Sequence, residues 1–263
     1  MKRTLALIQM QVTMGAVKKN FSHAQELMEK AMESHPDILI LPETWTTGFF
    51  PKENLKDLAD IDGKETKTFL SRFSATHHVC LVGGTAVVRE GEKIYNRSYI
   101  FDAEGKEVAS YDKIHGFSLS GEPDYFCGGS HLTHFQLAGL SCSMAVCYDI
   151  RFPELIRREA LQGVDLFFLP AAWPKLRQDH WITLNRARAI ENQFYLACVN
   201  QGGISGDTVY AGSSMVIDPW GQPANDITTE ETIITATLDT DIISEVRQKI
   251  NTYKDIRPEW DRV

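Results

Sequence analysis

Two heptapeptides, PDILILP at 36–42 and VDLFFLP at 164–170, share one pattern: an acid, four apolar residues in a row, then proline. Unbroken apolar runs of this length suit strands buried on both faces, because a half-exposed strand would alternate. Proline ends each run by removing a ladder donor. A strand buried on both sides needs other layers above and below it, and the rest of the chain supplies them. NFSHAQELMEKAMES (20–34) predicts a helix with Phe21, Ala24, Leu27, Met28 and Ala31 on one face. ETKTFLSRFSATH (65–77) predicts a second helix. Further helices are expected at 153–162, where Pro153 suits a first turn, at 178–192 and at 241–250. Strands are expected at 4–10, 37–43, 79–88, 95–102, 107–111, 132–137, 140–147, 164–170, 194–200, 212–218 and 232–238. Such alternation argues for an α/β fold whose sheet faces are covered by helices. No low-complexity linker divides the chain, so a single domain over 1–263 is expected.

Charge and cysteine content narrow the function. The formal charge is -8, and basic residues cluster no further than Lys18-Lys19 and Arg157-Arg158, so nucleic acid is a poor partner. Five cysteines without C-x-x-C spacing argue against a disulfide framework and for a reducing compartment. MKRTLALIQM starts with two basic residues before an apolar stretch, as a signal peptide does. Gln9 and Gln11 interrupt that stretch, and a first β-strand is the better reading. No apolar run is long enough to span a bilayer, and a cytoplasmic protein without a membrane partner is expected.

Cofactor signals are weak. No glycines stand at G-x-G spacing, and Gly63-Lys64 and Gly105-Lys106 are each followed by Glu rather than Ser or Thr. HLTH (131–134) has no obvious metal-ligand geometry, since positions three apart in a strand face opposite ways. His77-His78 reads as a solvated helix end. Neither a metal nor a cofactor is expected.

Three other positions combine into chemistry. Glu43 follows LILP, Lys113 stands in YDKIH after a predicted strand, and Cys147 closes the apolar run SMAVC ahead of the charged turn YDIRFPE. In α/β sheets, sites collect at strand ends. Taken singly, such a cysteine is usually packing, such a glutamate a solvated loop acid and such a lysine a surface charge. Together they are what acyl transfer requires. A free thiol has a pKa near ~8.5, so a carboxylate must take its proton, and an ammonium favours the thiolate and later the oxyanion. A thiol at a strand-to-turn elbow also leaves backbone N–H groups free behind it.

LPETW, YDKIH and CYDIRFPE, in that order, resemble the Glu-Lys-Cys triad of the nitrilase (carbon–nitrogen hydrolase) superfamily. LPAAWP (169–174), HWITLNRARAIENQFYLACVN (180–200) and GSSMVIDPWG (212–221) are similar to further family blocks, and the resemblance spans about residues 3 to 260. It implies a four-layer α-β-β-α sandwich that pairs into a homodimer or a higher homo-oligomer. It also implies a second glutamate, matched by Glu122 in SGEPDYF. Family nitrilases commonly carry Trp after the cysteine; Tyr148 departs from that and favours amides over nitriles. The family's C-terminal Asp-Arg-Arg-Pro run appears here as DIRP at 255–258, with Ile256 for the first arginine.

The blocks look most like bacterial ω-amidases, which hydrolyse the terminal amide of small carboxylate-bearing substrates such as 2-oxoglutaramate and succinamate. The implied reaction runs through a thioester on Cys147, with Lys113 and the Tyr148 N–H holding the oxyanion. Such a substrate needs local positive charge, and Arg151 is the first candidate, with Arg177 behind it. Arg151 has an equal alternative role as a structural partner of Glu154 or Asp149. Trp173 and Phe117 are candidates for the acyl pocket, His180 for a proton shuttle and His115 for holding a loop. Rival substrates are deaminated glutathione, an N-carbamoyl amine or a nitrile. Outside enzymes, the alternatives are a scaffold or a redox sensor using Cys147, although no resolving cysteine stands near it.

Overall fold

Side-chain alternation in the first strand sets the layers. The computed structural model describes residues 1–257, 259 and 260. Along Lys2–Gln9, Leu5 and Leu7 point into a large apolar core shared with Met144, Phe168 and Val199, while Ala6 and Ile8 pack against Ala24 and Met28. Ile38 and Ile40 follow the first pair, Leu39 and Leu41 the second. One sheet therefore faces a second sheet on one side and the helices Val17–Ala31 and Lys64–His77 on the other.

That first sheet has eight strands. Lys2–Gln9 lies between Thr232–Asp239, antiparallel, and Ile38–Ile40, parallel; Cys80–Val82 continues the parallel order. Lys93–Phe101 then pairs with Cys80–Val82, Ala86–Glu90 and Glu107–Asp112, and Asp60–Ile61 forms the far edge. The second sheet has five strands in the order Met215–Ile217, Tyr195–Asn200, Leu166–Ala171, Leu140–Met144 and His134–Leu137. Its outer face carries Pro153–Ala160 and Gln178–Asn192, the latter burying Trp181, Asn185, Arg188 and Ala189. The result is the expected α-β-β-α sandwich.

Several expected strands are shorter than their apolar runs, for local reasons. The run 79–88 is two strands, broken at Gly83-Gly84. Gly84 has φ +58, and a Cβ there would lie 2.0 Å from the Pro42 carbonyl oxygen, so only glycine lets these segments cross. The ladder of 140–147 stops at Met144, and Cys147 opens a 3-10 turn, Cys147–Arg151. Pro170 does not end its strand, which runs on to Ala171 beside Asn200. Phe168 turns its carbonyl toward Ala145, so Pro170, two residues on, directs its missing donor to the side where the neighbouring strand has already finished. The hairpin of Ile204–Ser205 and Thr208–Val209 turns on Gly206-Asp207, a two-residue turn signal that the expected strands leave unused. Among the described residues, no helix is long and apolar enough to cross a membrane. Of the DIRP run, Pro258 lies outside the described residues, as do 261–263.

Candidate active site

Strand ends and the loops after them bring Glu43, Lys113, Glu122 and Cys147 together beneath one cavity. Glu43 follows Pro42 beyond the short strand 38–40, and its backbone is pinned on both sides. Its N–H donates to the Ala171 carbonyl, and its own carbonyl accepts from Gln201 Nε2 at 2.8 Å. Lys113 follows Glu107–Asp112, with its N–H on the Asn96 carbonyl. Its ammonium donates to Glu43 Oε1 at 2.9 Å and to both Glu122 oxygens at 2.9 and 2.8 Å. All three charged groups are essentially sealed from bulk water, at 0%, 3% and 1% exposure for Glu43, Lys113 and Glu122. Burial opposes the Lys113 ammonium, but the charges of Glu43 and Glu122 outweigh it and hold its pKa above the usual lysine range.

Each carboxylate oxygen of Glu43 has its own partners. Oε1 accepts from Lys113 and from Asn96 Nδ2 at 2.8 Å, and Oε2 accepts the Ala172 N–H at 2.8 Å. Asn96 also reaches Glu122 Oε1 at 3.3 Å, and Glu122 Oε2 takes the Phe117 N–H at 2.7 Å. Asn96 escaped the sequence reading. Its signal was an asparagine in the middle of the strand Lys93–Phe101, a position where that residue type is depleted.

Cys147 sits at φ +47, a left-handed backbone that a non-glycine residue adopts only under constraint. Asp149 supplies the constraint. Its carboxylate accepts the Val146 N–H at 3.0 Å and the Tyr111 hydroxyl at 2.9 Å through Oδ2. Its Oδ1 takes the His115 N–H at 2.8 Å and lies 2.8 Å from His115 Nδ1. One buried acid thus ties the cysteine turn to the segment carrying Lys113. His115, stacked on Phe152 at 3.6 Å, adds a second contact to the same acid. The Tyr148 N–H, next to the thiol, has no acceptor among the described residues.

The thiol departs from the sequence expectation. Burial first, then the charge of Glu43, push the Cys147 pKa well above the ordinary thiol value, against the opposing pull of Lys113 and the Ala172 N–H. The resting group is a neutral thiol beside a base, not a thiolate beside a cation. Its rate of alkylation by iodoacetamide is therefore expected to keep climbing beyond about pH 9, whereas an ordinary cysteine levels off once past ~8.5. A plateau near the ordinary value would show that Lys113 wins instead.

Above the thiol lies a cavity of about 360 Å³. Phe49, Phe50, Phe117, Tyr148, Trp173 and Tyr210 give it aromatic walls, and Lys52, Arg151 and Arg177 bring three cations. Among the described residues no carboxylate lines it, although the chain carries a net -8. The Arg151 guanidinium lies 4.7 Å over the Trp173 ring and 6.0 Å from that of Tyr148. It makes no ion pair with Glu154 or Asp149 among the described residues, so its structural alternative does not materialise. Arg177 lies 5.2 Å over Phe117, and its carbonyl accepts the Trp173 indole N–H at 2.7 Å. Lys52, 5.0 Å over Phe50, opens the 3-10 turn Lys52–Asn54, which gave no sequence signal. His180 is exposed, lies 3.3 Å from Arg151 Nη2 and does not line the cavity. His131 precedes the strand His134–Leu137, and no metal-holding cluster occurs among the described residues.

The family model for carbon-nitrogen hydrolases matches residues 4–248. The chain is 40% identical over 257 residues to a 2-oxoglutaramate amidase of Bacillus subtilis, covering 98% of each chain. It is 32% identical over 267 residues to the omega-amidase NIT2 of Mus musculus, covering 96% of this chain and 94% of that one. Among solved structures, a CN-hydrolase superfamily protein of Xanthomonas campestris with an arsenic adduct in its active site superposes with a TM-score of 0.91 at 29% identity, covering 98% of both chains. With a family match over most of its length and a relative this similar end to end, the chain belongs to the carbon–nitrogen hydrolase family.

Proposed function

We propose that this protein hydrolyses the terminal amide of a small carboxylate-bearing substrate of the 2-oxoglutaramate or succinamate type, releasing ammonia and the free acid. The observation that carries the reading is a cation-lined, carboxylate-free cavity in an acidic protein, opening onto a cysteine backed by a buried base. Relatives named 2-oxoglutaramate amidase and omega-amidase support the substrate class.

In this reading the amide carbonyl sits over Cys147. Glu43 takes the thiol proton as sulfur bonds to the carbonyl carbon, and the oxyanion lies between Lys113 and the Tyr148 N–H. Loss of one such donor typically costs about 3–4 kcal/mol in the transition state. The tetrahedral adduct then expels nitrogen, which Glu43 protonates, leaving a thioester. Water enters where ammonia left, Glu43 takes its proton, and the acid is freed. Glu122 keeps Lys113 charged and in place through the cycle. Arg151, with Arg177 and Lys52 at the mouth, holds the distal carboxylate, and Trp173, Phe117 and Tyr148 bound the acyl chain. A charge-assisted contact contributes about 1.5–3 kcal/mol, enough to separate a carboxylate-bearing amide from a neutral one.

Ammonia release from 2-oxoglutaramate and succinamate tests the assignment. Turnover of both, with much weaker turnover of the uncharged butyramide, is expected. If an N-carbamoyl amine, a nitrile or deaminated glutathione is turned over instead, the substrate class is wrong while the cysteine chemistry stands.

We also take the protein to pair through its outer helix layer. Leu161, Ile190, Trp220 and Ile250 are exposed large apolar residues. Ile190 packs near Gly221, next to Trp220, and Ile250 follows the helix 241–249 that sets Lys249 over Trp220. An apolar group of this kind on an outer face suits a partner copy. Sedimentation is expected to show a dimer for the native chain and a monomer for Ile190→Asp; a monomeric native chain would remove this reading. Five free cysteines fit a reducing, cytoplasmic setting.

A further inference from the structure

Tyr210 was not singled out by the sequence, yet it lines the same cavity as Cys147. Its residue exposure is only 2%, and its position is fixed through the backbone. Its N–H donates to the Gly203 carbonyl at 2.9 Å, it bridges Pro174, and the next residue, Ala211, donates to the Trp173 carbonyl at 2.9 Å. Residues 173–174 directly follow Ala172, whose N–H holds Oε2 of Glu43. Lys113 and Asn96 hold the other oxygen. Tyr210 is thus tied through its backbone to the segment that holds Oε2 of Glu43, the oxygen Lys113 does not reach.

Its hydroxyl differs from those of three other tyrosines. Those of Tyr111, Tyr195 and Tyr253 donate to Asp149, to the Asp239 carbonyl and to the Asn192 carbonyl. The Tyr210 hydroxyl has no partner among the described residues and is not one of the sealed, unpartnered atoms; it opens on the cavity. It bonds neither Glu43 nor Cys147, and burial first, then the charge of Glu43, raises its pKa, so it stays a neutral phenol. A cavity lined by a thiol and an uncommitted hydroxyl, with the segment that holds Oε2 of Glu43 forming part of its wall, is where substrate atoms belong.

We propose that the Tyr210 hydroxyl contacts the leaving nitrogen of the amide, accepting one of its N–H bonds on the Oε2 side of Glu43. The oxyanion, on the Lys113 side, would then lie across the carbonyl carbon from it. As the S–C bond forms and the C–N bond breaks, the thiol proton passes through Glu43 to nitrogen, and ammonia leaves. By holding one N–H, Tyr210 turns the nitrogen lone pair toward Glu43 to receive that proton. The hydroxyl thereby selects for an amide over an acyl group whose leaving atom carries no hydrogen.

This inference rests on the acyl-transfer reading of Cys147, but not on the identity of the acyl group. The test compares kcat/KM for a monoamide the wild type turns over with that for the methyl ester of the same acid, in wild type and Tyr210→Phe. The amide value is expected to fall about 10- to 100-fold while the ester value stays within about threefold, because the ester has no N–H to lose. The Tm should hardly move, since the hydroxyl bonds nothing in the protein. Equal losses on amide and ester, or no loss on either, would overturn the assignment. Ammonia release surviving in Cys147→Ala would instead remove the acyl-transfer reading beneath it, and the two failures are read from different variants.

Discussion

Glu43→Gln is expected to lower amide turnover by about 10²- to 10⁴-fold, the range for a lost general base. The thiol gives the reason. Cys147 is held neutral by burial and by Glu43 itself, so no pool of thiolate stands ready when the base is gone. The variant should also separate two quantities that usually move together. Removing the carboxylate charge removes the second largest cause of the raised thiol pKa, so alkylation at alkaline pH should become faster while catalysis becomes slower. Rates of iodoacetamide labelling and of ammonia release, measured on one preparation, check this. The fold should persist, at a cost of about 1–3 kcal/mol. The new amide can accept from Lys113 or from the Ala172 N–H, but not from both, because one end of it is now a donor. A variant that loses labelling and turnover equally would point to a distorted site rather than a missing base.

Lys113→Met is expected to damage both stability and chemistry. The ammonium lies between Glu43 and Glu122, all three buried, and removing one partner of such a set costs about 3–5 kcal/mol. In the proposed reaction its loss also deletes an oxyanion donor, for a further fall of about 10²- to 10³-fold in kcat. The stability defect carries its own signature. Without the lysine, two buried carboxylates face each other and at least one has a folded pKa raised above its unfolded value of about 4.3. A raised pKa contributes stability below the unfolded value that disappears as pH rises through the folded one. The variant should therefore lose more Tm relative to wild type near pH 8 than near pH 5. A Tm deficit independent of pH would mean that Lys113 matters for packing alone.

Much of this site is legible locally. An apolar run, then a cysteine, then YDIRFPE places the proposed nucleophile; LPE and YDK place the carboxylate and ammonium at the ends of predicted strands. Glu122 is less legible, because only resemblance marks it among other loop acids, yet it lies 2.8 Å from the Lys113 ammonium. Arg151 and Arg177 were candidates through charge, and both line the cavity. Lys52 and Tyr210 had no such signal, since they reach the cavity only because the loop after Phe50 and the segment after the hairpin 204–209 fold over it. Asn96 was hidden, and Asp149 was read only as a possible partner of Arg151, for a related reason: the first bonds Glu43, 53 positions away, and the second Tyr111, 38 positions away. Pattern reading finds residues whose neighbours in sequence explain them, and these are explained by neighbours in space. The direction of the thiol shift depends on burial depth, which no local pattern reports. The overshoot of the strand 140–147 has the same origin, because Ala145 and Val146 are apolar for the sake of the core while the ladder has already ended.

The central claim is that Cys147 becomes acylated, and the most direct measurement is acid quenching of enzyme during turnover of succinamate, followed by intact and peptide mass analysis. The account predicts a succinyl thioester on the peptide containing Cys147, hydroxylamine-labile, formed together with a burst of ammonia and absent from Cys147→Ala. Steady turnover with no adduct on any peptide and no burst, or ammonia release undiminished in Cys147→Ala, would contradict it.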